Sequence, residues 1–277
     1  MAEADPITRH YETCSEEGRL LKSRVRRLEL ETTLHLLDRH LAGDARLLEL
    51  GAGHGAYSLR YARRGHRVLA TDLVELNVRA IEEHARREGL RTLEARRLDA
   101  VSLRGLENAT FDAVLCLGPY YHLHRRDDRL RCLLECRRVV REGGIVALSY
   151  INRAFAVPYL LTRGEPLGPE HYALLDADDR PPGRFQDEFF DIASFSRPAA
   201  VEEEARACGL AVIEHAGTDG VFGFFPEALE RVSDELLAGY RAHHLATCSR
   251  PEHRATSPHC LVILERARST VAHSSSK

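Results

Sequence analysis

The stretch Glu49-Leu-Gly51-Ala-Gly53-His-Gly55-Ala56 limits what this chain can fold into more than any other. Before it stands a short apolar strand, Arg46 to Leu50, and after it comes a helical pattern, Tyr57 to Arg64, closed by Gly65. Glycines crowded between a strand and a helix mark a turn that a ligand crosses, because a Cβ would hold the backbone away from it. Gly51, Gly53 and Ala56 also satisfy the G-x-G-x-x-G/A pattern of dinucleotide-binding turns. Asp72 lies 21 residues after Gly51, at the end of a second strand. A carboxylate there accepts two hydrogen bonds from the cis-diol of a ribose. Loop and acid together predict a nucleoside site and leave the nucleoside open.

The same rhythm of strand and helix continues along the chain. Arg67 to Thr71 reads as a strand, Glu75 to Glu88 as a helix stopped at Gly89, and Thr92 to Leu98 and Asp112 to Leu117 as two further strands. Leu130, Leu133, Leu134 and Val140 give Asp127 to Arg141 a helical period, and Gly143-Gly144 is expected to end that helix and open a strand from Ile145 to Tyr150. Strands separated by helices of this length form a parallel sheet, so the class is α/β and the core runs from 44 to 150. Residues 1–43 read as charged N-terminal helices. Pro158, Pro166, Pro169 and Pro181-Pro182 make 151–196 an irregular insertion, suited to capping a site. Helix Pro198–Cys208, strand Ala211–Ala216, helix Pro226–Leu245 and strand His259–Glu265 place 197–266 back in the core sheet. The Ser-rich end, 267–277, is expected to be disordered.

Composition excludes several partners. With 39 basic against 42 acidic residues the net charge is −3, which offers no footprint for duplex DNA or an anionic membrane surface. No apolar run approaches the ~20 residues that span a bilayer. The acidic opening Met1 to Pro6 does not read as a secretory signal, and the 7 cysteines show no disulfide framework, so a cytoplasmic protein with reduced thiols is expected. His122/His124 and His243/His244 lack the spacing of a known metal site, and no metal is expected. Cys132 and Cys136, four apart on one helix with Cys116 nearby in the fold, read as small buried hydrophobes. Nothing sets the oligomeric state; a dimer is compatible with the sequence.

Three features separate the two nucleoside readings. Gly55 extends the run to E-x-G-x-G-x-G with Glu49 at its head, a second acid, Asp99, follows the third strand, and no second nicotinamide-binding half is evident. Together these resemble the class I S-adenosylmethionine-dependent methyltransferases over roughly residues 44–150 and the closing strands. Cys116-Leu-Gly-Pro-Tyr-Tyr-His-Leu123 is similar to the LGPxYHL stretch of a bacterial subgroup whose substrates are mostly unassigned. His10-Tyr11, Glu17-Gly-Arg19-Leu20 and Ser257-Pro-His259 resemble the same subgroup. The resemblance implies a Rossmann-like, doubly wound, seven-stranded and mostly parallel sheet with an antiparallel last strand, plus N-terminal helices and a cap insertion.

It also implies roles. Gly51, Gly53 and Gly55 would let the backbone approach the methionine part of S-adenosyl-L-methionine, and Glu49 would anchor its amino end. Asp72 would hold the ribose hydroxyls, with Leu73 against the adenine. Asp99 would take the adenine amine and the Ala100 N–H a ring nitrogen, while Leu117 and Gly118 line the path to the sulfonium. Tyr11 and Arg19 would fold over the cofactor as a lid, Arg19 meeting its carboxylate. After transfer the product is S-adenosyl-L-homocysteine.

Methyl transfer consists mainly of holding a nucleophile in line with the methyl group and excluding water. A base is required only when the acceptor arrives protonated. His122 and Tyr121, just past the fourth strand, are the candidates for that work, and a packed or capping histidine is the other reading of His122. Phe185, Phe189 and Phe190, and separately Phe222, Phe224 and Phe225, are candidate walls for an acceptor or plain core. The expected acceptor is a small molecule, with bacterial specialised metabolism as the setting. Two other functions remain. One is an RNA or DNA base methyltransferase, although Leu117-Gly118 stands where amino-directed enzymes carry an Asp/Asn-Pro pair. The other is a cofactor-binding partner protein without turnover.

Overall fold

A computed structural model describes residues 18–162, 168–169 and 192–267. Its centre is a sheet of β1 (Arg46–Leu50), β2 (Arg67–Asp72), β3 (Leu93–Arg97), β4 (Phe111–Cys116), β5 (Val140–Asn152), β6 (Phe195–Ser196), β7 (Leu210–Gly217) and β8 (His259–Arg266). The order across the sheet is β3-β2-β1-β4-β5-β8-β7, with the two-residue β6 paired to the end of β5. Neighbours from β3 to β5 run parallel, and β8 runs antiparallel to both β5 and β7. The antiparallel last strand is as expected; β6 adds a short strand that the irregular, proline-rich sequence did not announce.

Alternation along the central strands divides the core in two. Leu47 of β1 joins Leu30, Leu34, Leu36 and Leu37 of helix α1 (Arg24–Asp38) and Tyr61 of α2 (Ser58–Arg63) on one face. Leu48 and Leu50 turn to the other face, among Cys132, Leu133 and Cys136 of α4 (Arg126–Val139) and Val201 and Ala205 of α6 (Pro198–Ala207). Helix α3 (Glu75–Glu88) packs Ile81 beside β2. With helices on both faces, β1, β2 and β4 are buried nearly throughout, as parallel strands must be. Helix α1 starts at Ser23, whose hydroxyl accepts the Arg26 N–H at 3.3 Å.

Two boundaries differ from the sequence reading. Gly143-Gly144 does not end a helix; α4 stops at Val139 and the glycines lie inside β5, where the register against β4 shifts between Phe111 and Ala113. A Cβ on Gly144 would stand 2.7 Å from the Asp112 carbonyl oxygen, so this bulge needs a glycine. The long helix expected from Pro226 to Leu245 breaks into α7 (Pro226–Arg231) and α8 (Asp234–Thr247) because Ser233 caps the second, its hydroxyl accepting the Leu236 N–H at 3.2 Å. A further helix, α9 (Pro251–Ala255), precedes β8. The cap insertion is described at its ends, where α5 (Ala156–Thr162) leaves β5 and Ile192 to Ser196 return to it, and at residues 168–169. Tyr11, Phe185, Phe189, Phe190 and the tail from 268 lie outside the described residues.

Candidate active site

Strand order reverses between β1 and β4, and a crevice opens there beyond their carboxyl ends, the usual ligand position in open α/β sheets. The cleft has a volume of about 360 Å³. Of the residues singled out from the sequence, Glu49, Gly51, Gly53, Asp72, Leu73, Asp99, Ala100, Leu117, Gly118, Tyr121, His122 and Arg19 line it. Gly55 does not. It is buried behind the loop, where its Cβ would come within 3.1 Å of Ile81 and 3.4 Å of Leu59, so it serves the packing of the turn rather than a ligand.

Gly51 has a further reason to be glycine that the sequence did not announce. Gly51, Gly53 and Gly55 all have positive φ, at 63°, 54° and 78°. A Cβ on Gly51 would lie 2.7 Å from Cγ and Cδ of Pro119, which opens the turn after β4. The close approach at Gly51 is therefore between two protein loops, and it brings the ends of β1 and β4 together around the cleft.

Asp72 braces the loop from the side. Its Oδ2 accepts the Gly53 N–H at 2.8 Å, and its Oδ1 accepts the Val74 N–H at 2.9 Å and the Asn77 side-chain amide at 3.2 Å. Burial pushes the Asp72 carboxyl upward against those hydrogen bonds. Glu49 is more enclosed. Its Oε2 accepts both the N–H of Ser58, at 2.9 Å, and the Ser58 hydroxyl at the start of α2. Burial dominates and pushes its carboxyl up to about 7, with Asp72 nearby adding to the rise. Asp99 is exposed at the cleft rim, with Oδ1 accepting the Val101 N–H at 3.0 Å.

The post-β4 turn, Pro119–His122, is held by a buried polar joint. Arg129 of α4 pairs with Glu204 of α6 at 3.0 Å and donates to the carbonyls of Leu123 and His124. The Tyr120 hydroxyl donates to Glu204 at 2.7 Å. With Tyr120 locked inward, Tyr121 and His122 face the cleft. The returning end of the insertion grips them, Ser194 N–H donating to the Tyr121 carbonyl at 2.6 Å. His122 Nδ1 sits 2.7 Å from the Ile192 carbonyl. A carbonyl only accepts, so Nδ1 carries a hydrogen.

Sequence reasoning passed over several lining residues. Leu20 and Leu30 come from the N-terminal helices, Tyr57 from the end of the glycine loop, and Asn77 and His84 from α3. His54 also lines the cleft, and its buried Nδ1 has no hydrogen-bond partner among the described residues. Of these, only His54, inside the glycine run, carried a positional signal. The cluster of Cys116, Cys132 and Cys136, with sulfurs within 4.8 Å of one another, is fully buried in the core behind the cleft.

A cleft at the switch point, a tight glycine turn and an acid ending β2 define a nucleoside-binding α/β enzyme, and comparison with known proteins specifies the class. Residues 48–148 match a family described as a methyltransferase domain. Ubiquinone biosynthesis O-methyltransferase of Methylococcus capsulatus is 31% identical over 186 residues, which is 67% of this chain and 69% of that protein. Its counterpart from Leptothrix cholodnii is 33% identical over 45% of this chain, which spans about half (49%) of that protein. Among solved structures, a methyltransferase dependent on S-adenosylmethionine from Methanosarcina mazei superposes with a TM-score of 0.58 at 16% identity, over 84% of this chain and 97% of that one. The 1,6-didemethyltoxoflavin-N1-methyltransferase of Burkholderia thailandensis, with its substrate and S-adenosylhomocysteine bound, gives 0.57 at 17% identity, over 97% and 93%. The chain belongs to the class I S-adenosylmethionine-dependent methyltransferases, and S-adenosyl-L-methionine is its cofactor.

The cleft fits that cofactor. It joins the glycine turn to two buried acids, and His54, whose buried Nδ1 has no hydrogen-bond partner among the described residues, lines the same space. Among the described residues no helix is long and apolar enough to cross a membrane.

Proposed function

We propose that this enzyme methylates a small-molecule acceptor by direct in-line transfer, as a cytoplasmic step of biosynthesis, with bacterial specialised metabolism as the setting. The observation that carries the reading is a single cleft that holds the glycine turn and Asp72 at one end and Tyr121 and His122 at the other. Relatives named for ubiquinone biosynthesis support a small acceptor. The cofactor supplies an electrophilic methyl on a sulfonium and leaves as S-adenosyl-L-homocysteine.

The chain's own groups would divide the binding. Gly51 and Gly53 present backbone to the methionine part, Glu49 faces its ammonium, and Arg19, with Tyr11 as the rest of the lid, meets its carboxylate. Asp72 takes the ribose hydroxyls on lone pairs left beside those that brace the loop. Leu73 packs on the adenine while Asp99 and the Ala100 N–H bond its edge. Leu117 and Gly118 line the approach to the sulfonium. Tyr121 and His122 meet the acceptor.

The test is methyl-labelled S-adenosylmethionine incubated with the purified chain and a cell extract, followed by size fractionation. Label in the small-molecule fraction is expected; label in RNA, DNA or protein alone overturns the reading. Asp72→Ala is expected to weaken cofactor affinity by about 1–3 kcal/mol in calorimetry, the scale for removing a buried hydrogen-bond acceptor. Unchanged affinity would sink the ribose assignment.

A further inference from the structure

Cys132 and Cys136 stand four positions apart on α4 and so share one helical face. They belong to the same buried cluster as Cys116, the last residue of β4. The fold thus brings together three sulfurs that lie within 4.8 Å of one another, with Cys116 Sγ 3.8 Å from Cys132 Sγ. All three residues are fully buried. Their sequence reading as small hydrophobes accounts for the burial but not for the meeting. Leucines and valines fill most of the same cluster, so packing alone does not call for sulfur where strand end and helix face each other. The other described cysteines, Cys208, Cys248 and Cys260, join no such group. Each donates its thiol to a backbone carbonyl, of Leu130, Leu245 and Arg254 respectively.

Three sulfurs facing one another are a ligand set for a soft metal ion. A thiolate–metal bond is about 2.3 Å long, so an ion in the plane of three sulfurs would hold them about 4.0 Å apart. The 3.8 Å pair and the 4.8 Å limit leave a small adjustment to reach that triangle. The surroundings select among soft ions. Among the described residues no further Cys, His, Asp or Glu reaches the group. The two tyrosines of the cluster are engaged elsewhere, Tyr120 donating to Glu204 and Tyr150 bonded to His215 at 2.8 Å. Structural zinc and iron–sulfur clusters take four ligands, and this site offers three. Copper(I) is soft, monovalent and suited to sulfur ligands alone, thiolate or neutral thioether.

We propose that Cys116, Cys132 and Cys136 form a binding site for copper(I) that ties the end of β4 to α4 behind the cofactor cleft. Charge supports the same ion. An uncompensated charge in an apolar core is costly, and one thiolate neutralises a monovalent ion while two thiols complete the triangle as neutral donors. A divalent ion would need a second ionised thiol. On binding, one S–H ionises, its proton leaves to water, and each sulfur gives a lone pair to the ion. No electrons are lost or gained. Cys116 directly precedes Leu117 and Gly118, which line the cleft, so the ion would fix the strand end that carries them. This site is independent of the acceptor and of the small-molecule reading.

The experiment titrates the full chain, reduced and free of oxygen, with copper(I) supplied as its acetonitrile complex against a chromogenic copper(I) chelator. One tightly held ion per chain is expected, with sulfur as its only neighbour in X-ray absorption at the copper edge. Cys132→Ala and Cys136→Ala should each weaken that ion at least about 100-fold, whereas Cys14→Ala, Cys248→Ala and Cys260→Ala should stay within about twofold of the parent. Cys136→Ser keeps the volume without a soft donor and should lose the ion as the alanine variant does. Melting of the metal-free variants separates loss of the site from loss of the fold. Copper(I) should raise the melting temperature of the parent and leave that of Cys136→Ser unchanged. Absence of a tightly held ion, or one kept undiminished by Cys132→Ala, Cys136→Ala and Cys136→Ser, overturns the site. Zinc(II) held more tightly than copper(I) by the same three residues overturns the choice of ion.

Discussion

Glu49 is the residue whose chemistry depends most on where the fold puts it. An exposed glutamate ionises near 4.5, and burial beneath the glycine turn carries this one to about 7. Its folded pKa lies above the unfolded value. The stability it contributes is therefore fully present below pH 4.5 and is lost as pH rises through about 7. The proposed contact of Glu49 with the cofactor's ammonium favours the ionised form, so binding is expected to expel a proton in that window. Cofactor affinity is expected to rise from pH 5.5 to 7 by up to about tenfold per unit, with proton release visible by calorimetry in buffers of different ionisation heat. Glu49→Gln should flatten the dependence. An equally steep curve in that variant would remove Glu49 from the ammonium site.

At the scale of elements, the site is a junction of two turns, one after β1 and one after β4. Gly51 and Pro119 touch at that junction, and the left-handed backbone at Gly51 adds its own demand. Gly51→Ala should cost about 2–4 kcal/mol in urea unfolding, from an αL penalty and overpacking together. Adding Pro119→Ala should return the packing share and leave the backbone share. If the double variant recovers nothing, the two turns do not set each other's position. The loop after β8's partner strand follows a similar logic, since a Cβ on Gly223 would stand 2.7 Å from Asp219 Oδ2.

Across the whole molecule, the residues after the insertion are not an appendage. Helix α6 and strands β7 and β8 close the sheet beside β5, and Glu204 of α6 reaches back to Arg129 and Tyr120 under the turn after β4. Both charged side chains are almost wholly buried, so their worth is exposed by breaking the pair. Glu204→Gln leaves a buried guanidinium short of its counter-charge and should cost about 3–5 kcal/mol in equilibrium unfolding. The same change should loosen Tyr121 and His122, raising KM for the acceptor. A loss below about 1 kcal/mol, the value of an exposed pair, would show that water reaches the joint.

What this chain's sequence determined alone is what depends on neighbours along the chain. The strand–glycine–helix order, the spacing to Asp72 and the alternation of apolar strands identify an α/β nucleoside-binding core, because periodicity and turn chemistry act over a few residues. Break points were less legible. Ser233 as a cap and Gly143-Gly144 as a bulge rather than a helix end depended on which partner each segment meets. Only the tertiary structure decided why Gly51 is a glycine, since Pro119 is 68 positions away in the sequence. It alone gave Glu49 its raised pKa, joined Arg129 to Glu204 and set Asp219 against His259, forty residues on. Such pairs leave no periodic trace, because burial and contact between distant segments exist only once the sheet has closed.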